Sequence, residues 1–330
     1  MAKIHRPRHG SLQFWPRKRA AKLLPSIHWD PIIQRNTKEG AGKLLGFIAY
    51  KAGMKTAFVK DLTPNSMTKD KKIVMPVTIL ELPNMKIYSV RLHKNGKVVT
   101  EVLSQHLDKE LKRKVKLPKA HSEKSRIEEV EKRVANNEFD KITIIAYSVV
   151  KKTGIKKTPD MAEIAIGGGV LEQFGFAKNH LDKEIKAGEA LKDYKMVDAR
   201  GVTTGKGLVG PVKRYGLELK QHKSEKGRRR PGSLAPWHPA RTTYMSPNAG
   251  QMGLFTRAIY NNPVIMINDA TKMPAINPPG GLKNYGTIRN EFAILRGSVQ
   301  GPVKRAIIIT APLRRTKKQE KKKYEFIELR

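Results

Sequence analysis

The chain has 330 residues, with 66 Lys+Arg against 29 Asp+Glu and a formal net charge of +37. Apolar residues make up 39%, enough for a modest core but below the globular norm of roughly 45–50%. Part of the chain is therefore expected to fold and part to lie extended on a partner. A charge this large strains an isolated compact molecule by self-repulsion, which points to a polyanion, nucleic acid first and an anionic membrane second. The absence of cysteine excludes a disulfide scaffold, a zinc ribbon and a thiol nucleophile. The longest uncharged apolar runs, Ile142–Val150 and Ala306–Pro312, are strand length and fall far short of the ~20 residues of a membrane span. Met1–Arg19 has no apolar h-region, so it does not read as a secretory signal. These features predict a soluble, intracellular, polyanion-binding protein.

From Met1 to Lys22 there are seven basic residues (Lys3, Arg6, Arg8, Arg17, Lys18, Arg19, Lys22) and no acid before Asp30. Pro7, Gly10, Pro16 and Pro25 break the stretch, and Phe14 and Trp15 lie between its two basic groups. It has neither helical nor strand period, which predicts an extended arm that orders on its partner. Strand patterns begin at Gly46–Lys60 and Val74–Leu82. Lys86–His93 runs toward Val98–Val102 through Lys94-Asn95-Gly96-Lys97, whose Asn-Gly predicts a two-residue hairpin turn. Ser125-Arg126-Ile127-Glu128 reads as a capping box, with Ile127, Val130 and Val134 on one helical face. Ile142–Val150 is expected to be a buried strand and Leu181–Leu191 a second helix. The stretch from about Thr100 to Lys195 holds many of the acids and is expected to face solvent or protein.

From about Gly205 to Tyr260 strand patterns fade, and Gly, Pro and Arg crowd the sequence. Strands are expected again at Val264–Ile267, Phe292–Leu295 and Arg305–Ala311. The tail Arg314–Lys323 sets seven basic residues around one acid, Glu320. The pattern predicts a mainly β fold, a β-barrel or sandwich split by a mixed α/β insertion, with a long basic central loop and extended terminal arms projecting from it.

Gly205-Lys206-Gly207-Leu208-Val209-Gly210 looks superficially like a phosphate-binding glycine loop. Pro211 and Lys213-Arg214 follow it, with no helical period where a nucleotide fingerprint needs a helix. A turn whose amides and lysine approach a phosphate backbone fits better. Gly167-Gly168-Gly169 reads as a connector. Lys213 to Arg241 is the richest stretch, with Lys213, Arg214, Lys220, Lys223, Lys226, Arg228, Arg229, Arg230 and Arg241 against Glu218 and Glu225. Near its end Trp237 stands between Pro236 and Pro239 with no apolar periodicity to bury it. An aromatic ring on a stiff, arginine-flanked loop suits stacking on an unpaired base, worth about 1–3 kcal/mol, while arginine forks bind phosphates two-pronged. Catalysis finds no support. The nine histidines are scattered without a His-x-x-x-His pair, no Gly-x-Ser-x-Gly elbow occurs, and no partner acid stands near His238. Glu128, Glu129 and Glu131 read as a solvated helix face.

These residues carry a family likeness. Pro7-Arg8-His9-Gly10-Ser11-Leu12 with Pro16-Arg17-Lys18-Arg19-Ala20 resembles the N-terminal arm of the universal large-subunit ribosomal protein L-three family, archaeal type. Tyr50-Lys51-Ala52-Gly53-Met54 resembles that family's first barrel strand. Gly201-Val202-Thr203-Thr204-Gly205-Lys206-Gly207 with Gly210-Pro211-Val212-Lys213-Arg214 is similar to its glycine-lysine turn. Pro236-Trp237-His238-Pro239-Ala240-Arg241 resembles the tip of its long central loop, and Gly250-Gln251-Met252-Gly253 a site beyond it. Asn284-Tyr285-Gly286 and Leu295 through Arg305 resemble its closing strands, so the matches run in family order from residue 7 to about 311.

The resemblance implies a translation-factor-like β-barrel with an α/β insertion, bound directly to 23S-type rRNA. It also implies early subunit assembly and a loop reaching toward the peptidyl transferase centre. The division it implies is a basic arm (1–40), barrel segments (41–99, 196–209, 262–312), an insertion (100–195), the central loop (210–261) and a basic tail (313–330). The implied rRNA contacts are Arg6, Arg8, His9, Arg17, Lys18, Arg19, Lys206, Lys213, Arg214, Lys220, Lys223, Lys226, Arg228, Arg229, Arg230, Trp237, His238, Arg241, Gln251, Lys304 and Arg305. Neighbouring ribosomal proteins are expected partners, with no membrane and no small-molecule substrate. No cofactor is expected, and magnesium enters only as part of the rRNA. No counterpart is apparent for the histidine modified in eukaryotic relatives or the glutamine modified in bacterial ones. The lack of a long C-terminal extension points to an archaeal source, and hence to the cytoplasm. A structural rRNA-binding role thus leads, and an RNA-modifying or RNA-processing enzyme with a barrel domain is the alternative.

Overall fold

The computed structural model describes residues 8–36, 42–118, 124–192, 194–242 and 244–330. The chain divides into two compact units, residues 8–21 with Val202–Thr256, and Lys22–Gly201 with Arg257–Arg330.

The larger unit, the strand body, is built on β1 (Gly46–Asp61) and β2 (Lys72–Leu82), which pair antiparallel from Tyr50↔Glu81 to Lys60↔Lys72. An insertion follows with β3 (Met85–Lys94), β4 (Lys97–Leu103), α2 (Lys124–Ala135), β5 (Lys141–Ser148), β6 (Met161–Ala165), α3 (Val170–His180) and α4 (Ala187–Leu191). The short helix α1 (Asp30–Arg35) precedes them. After β7 (Met196–Val202) come β8 (Leu208–Val209), α5 (Pro211–Tyr215) and β9 (Gly250–Gln251) of the smaller unit. The body resumes with β10 (Thr256–Asp269), β11 (Glu291–Arg296), β12 (Ala306–Thr310), α6 (Lys317–Glu320) and β13 (Tyr324–Leu329).

The main sheet runs β12-β7-β10-β11-β2-β1-β13, and β1 also pairs with β12. Six strands therefore close on themselves, with β13 added at the outside of β1. The sixteen residues of β1 make this possible. Gly46–Tyr50 pair with β12, and Ala57–Asp61 pair with β13. Between them the register with β2 shifts at Lys51/Gly53, a bulge of the kind that bends a strand. Phe47, Ile79, Leu80, Phe292, Ile307 and Ile309 are buried. Glu81 is also buried, and its carboxylate accepts hydrogen bonds from the Arg289 N–H (3.0 Å), the Asn290 N–H (3.1 Å), Asn290 Nδ2 (2.8 Å) and the Tyr285 hydroxyl. Those bonds fix the segment that leads into β11.

The insertion is a four-stranded sheet, β4-β3-β5-β6. Asn95 and Gly96 at the β3–β4 turn both have positive φ, 51° and 73°, as the Asn-Gly signal requires. Val130 and Val134 of α2 are buried in one core cluster with Val90, Leu92 and Val102, and Ile127 packs against it. Ser125 lies one residue inside α2, and the side-chain part of its capping-box reading falls outside the described residues. On β3 to β6 the polar side chains link into a network. Ser89 Oγ and Arg91 Nε donate to Glu101, Arg91 Nη1 and Thr143 Oγ1 reach Glu163, and His93 Nε2 lies 2.9 Å from Thr143 Oγ1.

Five expectations are corrected. The insertion begins at β3, not at residue 100, because β3 pairs with β4 and β5 and with no strand of the main sheet. The central loop ends before residue 261, because β10 starts at Thr256 and joins the main sheet. The helix expected over Leu181–Leu191 is displaced, because α3 occupies Val170–His180 and only Ala187–Leu191 is helical further on. The Gly169 N–H donates to the Glu172 carboxylate at 3.0 Å, so the triple-glycine connector opens the helix earlier. The basic arm does not extend to residue 40 as an extended chain. Trp29 and Ile32, at helical spacing around α1, are buried in the main core. The tail after residue 313 is not all extended arm, since β13 pairs with β1 and Tyr324, Phe326 and Leu329 pack on the second core cluster.

Candidate nucleic-acid interface

The smaller unit begins where the chain leaves β7 and ends where it returns at β10. Its two sides are zipped together at the base. The Thr203 N–H donates to the Phe255 carbonyl (2.9 Å), the Lys206 N–H to Met252 (2.9 Å) and the Met252 N–H to Gly207 (2.9 Å). Beyond these, β8 and β9 pair as Leu208↔Gln251 and Val209↔Gly250. Gly253 has φ +73°, and a Cβ there would sit 2.1 Å from the Thr204 carbonyl oxygen. Only glycine allows the two sides to approach this closely.

One turn of helix, α5, follows the glycine-lysine turn, although the sequence shows no helical period there. Pro211 suits the first turn with its fixed φ, and Gly216 ends it in the left-handed region at φ 70°. A two-residue strand and a single turn still fall short of a nucleotide fingerprint.

The N-terminal arm packs on this base. Trp15 stacks on Tyr215 with ring centroids 6.1 Å apart and planes at 28°, and lies 6.1 Å from Tyr244. The Arg17 guanidinium sits 4.1 Å from the Tyr215 ring centroid, and its Nη1 donates to the Arg214 carbonyl. Such cation–π contacts are worth about 0.5–1 kcal/mol at exposed sites. Arg8 Nη2 donates to the Met245 carbonyl (2.8 Å), and the Ala20 N–H to Leu254 (2.8 Å). Gly10 has φ +80°, and a Cβ there would press to 2.7 Å from Tyr215 Cδ1. On the loop side Arg214 donates from Nε to the Gln251 carbonyl (3.0 Å) and from Nη1 to the Asn248 carbonyl (2.9 Å). Gln251 Nε2 in turn donates to the Met252 and Gly253 carbonyls.

The expected contact residues thus separate by role. Arg8, Arg17, Arg214 and Gln251 use donors to hold the unit together. His9, Lys18, Arg19, Lys206, Lys213, Lys220, Lys223, Lys226, Arg229, Arg230, His238 and Arg241 are exposed. Arg228 is exposed too, but its Nε donates to the Lys220 carbonyl at 3.1 Å while the Lys220 N–H donates back to the Arg228 carbonyl. The basic run between them is therefore a closed turn presenting cations outward. Trp237 is 88% exposed, so it supports no core, and its one ring partner among the described residues is His238, edge-on at 5.9 Å. Lys304 and Arg305 belong to the strand body, where Lys304 is exposed at φ 68°. Arg305 Nη1 is buried with no hydrogen-bond partner among the described residues, and that desolvation lowers its pKa. Arg6 lies outside the described residues. Tyr215 and Tyr244 were not foreseen, since their contact with Trp15 spans about two hundred residues of sequence. The signal available for them was aromatic residues flanked by arginine, as at Arg214-Tyr215. Among the described residues no group of three or more His, Cys, Asp or Glu is placed to hold a metal.

The family model described as ribosomal protein L3 matches residues 1–330. The large ribosomal subunit protein uL3 of Methanobrevibacter smithii is 37% identical over 328 residues, covering 97% of this chain and 95% of the relative. The protein of the same name from Methanocaldococcus jannaschii is 37% identical, covering 94% and 92%. That of Archaeoglobus fulgidus is 39% identical, covering 92% and 91%.

Proposed function

The chain belongs to the ribosomal protein L3 family, and from that premise we propose that it is a structural component of the large ribosomal subunit, in the cytoplasm, that binds 23S-type rRNA directly. Its task is to organise RNA, not to transform a substrate. In this reading the ring of six strands is a translation-factor-like barrel, and the segment 210–255 is a loop that carries its tip toward the peptidyl transferase centre. Binding of rRNA early in subunit assembly, with magnesium entering only as part of the RNA, completes the proposal.

The observation that carries it is the pairing of opposite features in one segment. The base of the loop is fastened by backbone ladders and the Trp15–Tyr215–Arg17 stack, while its outer part turns cations and the bare Trp237 ring to solvent. A +37 chain gains most from such a layout against phosphate, because a fixed base lets the cations meet the backbone without a large ordering cost. Trp237 is then left open to stack on an unpaired base, as the rings of single-stranded RNA binders do.

Sucrose-gradient sedimentation of the tagged chain tests the role. It is expected to travel with large subunits at one copy each, and a chain that stays at the top of the gradient overturns the proposal. Salt titration tests the mechanism, since each neutralised phosphate contributes a log–log slope of about −0.7 to −0.9. Replacing Arg228, Arg229 and Arg230 together with alanine should flatten that slope by about two, because Arg228 is partly committed to Lys220. An unchanged slope removes the basic turn from the contact.

A further inference from the structure

The turn between β1 and β2 is tied to a single carboxylate. Asp61 is buried and accepts hydrogen bonds from the Thr63 N–H (2.9 Å), the Ser66 hydroxyl (3.0 Å) and the Thr68 hydroxyl (2.6 Å). The Asp70 N–H donates back to the Asp61 carbonyl (2.8 Å), and the Lys69 and Lys71 N–H groups close inner turns on the Ser66 and Thr68 carbonyls (3.1 Å each). Asn65 and Asp70 take positive φ, 59° and 61°, which Asn and Asp tolerate better than other side chains. In the middle of this fixed turn stands Met67, 95% exposed, more even than Trp237 at 88%.

Charge selects the class of partner. Lys60 is paired with Asp70 at 3.4 Å and Lys72 with Glu328 at 3.3 Å, which leaves Lys69 and Lys71 exposed and without an ion pair among the described residues. The tail adds to them. The Leu62 N–H donates to the Lys323 carbonyl (2.9 Å) and the Lys323 N–H to the Thr63 hydroxyl (3.2 Å), so the run Lys321–Lys323 lies directly beside the turn. Residues 60–72 with 321–325 hold seven lysines and three carboxylates. Of the three, Asp61 is buried in its hydrogen bonds, Asp70 is held by Lys60, and Glu325 stands across from Lys60 in the β1–β13 register. A second copy of this surface meets its own sign. The lysines come from two neighbouring segments, so their complement is an extended run of negative charge, which a phosphate backbone supplies. Methionine is among the apolar side chains that nucleic-acid binders press against base steps, and an RNA helix offers it a wide, shallow minor groove. Because the turn is already ordered, seating it there costs little conformational entropy.

We propose that the β1–β2 turn is a second rRNA contact, on the strand body, with Met67 seated against base and sugar edges in the shallow minor groove and Lys69, Lys71, Lys321 and Lys323 on the flanking phosphates. This rests on the ribosomal reading above and goes beyond it, since none of these residues belongs to the N-terminal arm, the glycine-lysine turn or the central loop.

The chain has no cysteine, so Met67→Cys carries a single thiol for a short photo-cross-linker. The labelled full chain is assembled into subunits, purified on a gradient and irradiated. The expected product is a cross-link to one short stretch of rRNA. A cross-link to a protein, or none in subunits that contain the chain, overturns the proposal. Binding of the full chain to large-subunit rRNA transcribed in vitro separates the two kinds of contact. Lys69→Ala with Lys71→Ala should lower the log–log salt slope by about 1.5, at roughly 0.7–0.9 per phosphate. Met67→Ser should leave that slope unchanged and weaken binding roughly three-fold or more. A slope indifferent to the lysine pair, or an affinity indifferent to Met67→Ser, equally overturns it. All these variants alter exposed side chains, so each should fold as the parent does, which circular dichroism checks. Failure of the unaltered chain to sediment with subunits sinks the ribosomal reading instead, so the two failures are told apart.

Discussion

The arm–loop unit and the strand body solve the problem of holding a highly basic chain in shape by different means. The body uses apolar burial, with strands closed on themselves and residues such as Phe47, Phe292 and Ile309 withdrawn from water. The arm–loop unit instead fastens its base with short backbone ladders and with guanidinium groups stacked on Trp15 and Tyr215. The difference teaches that cations can be structural in one part of the unit and exposed in the next. Arg17 and Arg214 are tied inward, while Arg229 and Arg230 are free to meet phosphate.

The largest effect should come from the body. Phe292→Ala removes a fully buried ring from the second core cluster and is expected to cost about 3–5 kcal/mol of stability. Denaturant unfolding followed through Trp29, which is buried in the body, measures it. A loss below about 1 kcal/mol would mean that this cluster is not the support described.

Gly253→Ala should be the next largest, and it should strike only the other region. The added methyl meets the Thr204 carbonyl oxygen, and the left-handed backbone adds strain of order 1–3 kcal/mol. Limited proteolysis is expected to open cuts between Val202 and Thr256 while the Trp29 signal of the body stays native. Coupled loss of both would show that the two regions do not hold themselves independently.

Much of the body was legible in the sequence, and the reasons are local. The runs rich in Val, Ile, Phe and Tyr at Gly46–Lys60 and Val74–Leu82 read directly as strands, and Asn95-Gly96 marked its hairpin. β13 was hidden because Lys321, Lys322 and Lys323 stand before it and its apolar residues, Tyr324, Phe326, Ile327 and Leu329, do not alternate strictly with Glu325 and Glu328. It is a strand only because β1 offers an edge, which no local pattern records. The arm's contact with Tyr215 and Tyr244 was hidden for the same reason. Exposure of Trp237 was legible, because Pro236 and Pro239 leave no periodicity to bury it.

Acid should separate the two regions further, with a smaller effect. In the body the hydrogen bond from His93, with help from Thr143 and the nearby Arg91 charge, holds the Glu163 carboxyl at about 2 against the cost of burial. Burial alone would raise Asp61, yet the hydrogen bonds from Thr63, Thr68 and Ser66 bring it to about 2. Both pKa values are depressed on folding, so their stabilisation is complete above the ordinary carboxylate range. It is lost as pH falls from about 4.5 toward 2. Trp29 donates its indole N–H to the Glu163 carbonyl at 2.9 Å, which makes its fluorescence a direct witness. The contacts named at the arm–loop base use no carboxylate, and Trp15 should hold its environment over the same window. Simultaneous change at both tryptophans would erase the distinction.

The smallest effect on stability is expected from Trp237→Ala, and it is the most informative. The ring is 88% exposed, and its one ring partner among the described residues is His238, so the free protein should unfold within about 0.5 kcal/mol of the parent. Incorporation into subunits should also be nearly intact, since no charge is lost. What should change is the behaviour of the RNA that the tip meets, read as peptidyl-transfer rate, tRNA binding or sensitivity to drugs acting at that centre. The variant removes packing, not a reacting group, so the change should be partial. Stacking of one base is worth about 1–3 kcal/mol, enough to shift such equilibria but not to abolish them. Variant ribosomes fully assembled and unchanged in all three assays would remove Trp237 from the interface. A free protein that misfolds would show instead that the ring has a structural partner, and the contrast between a fastened base and a bare tip would fail at the residue that defines it best.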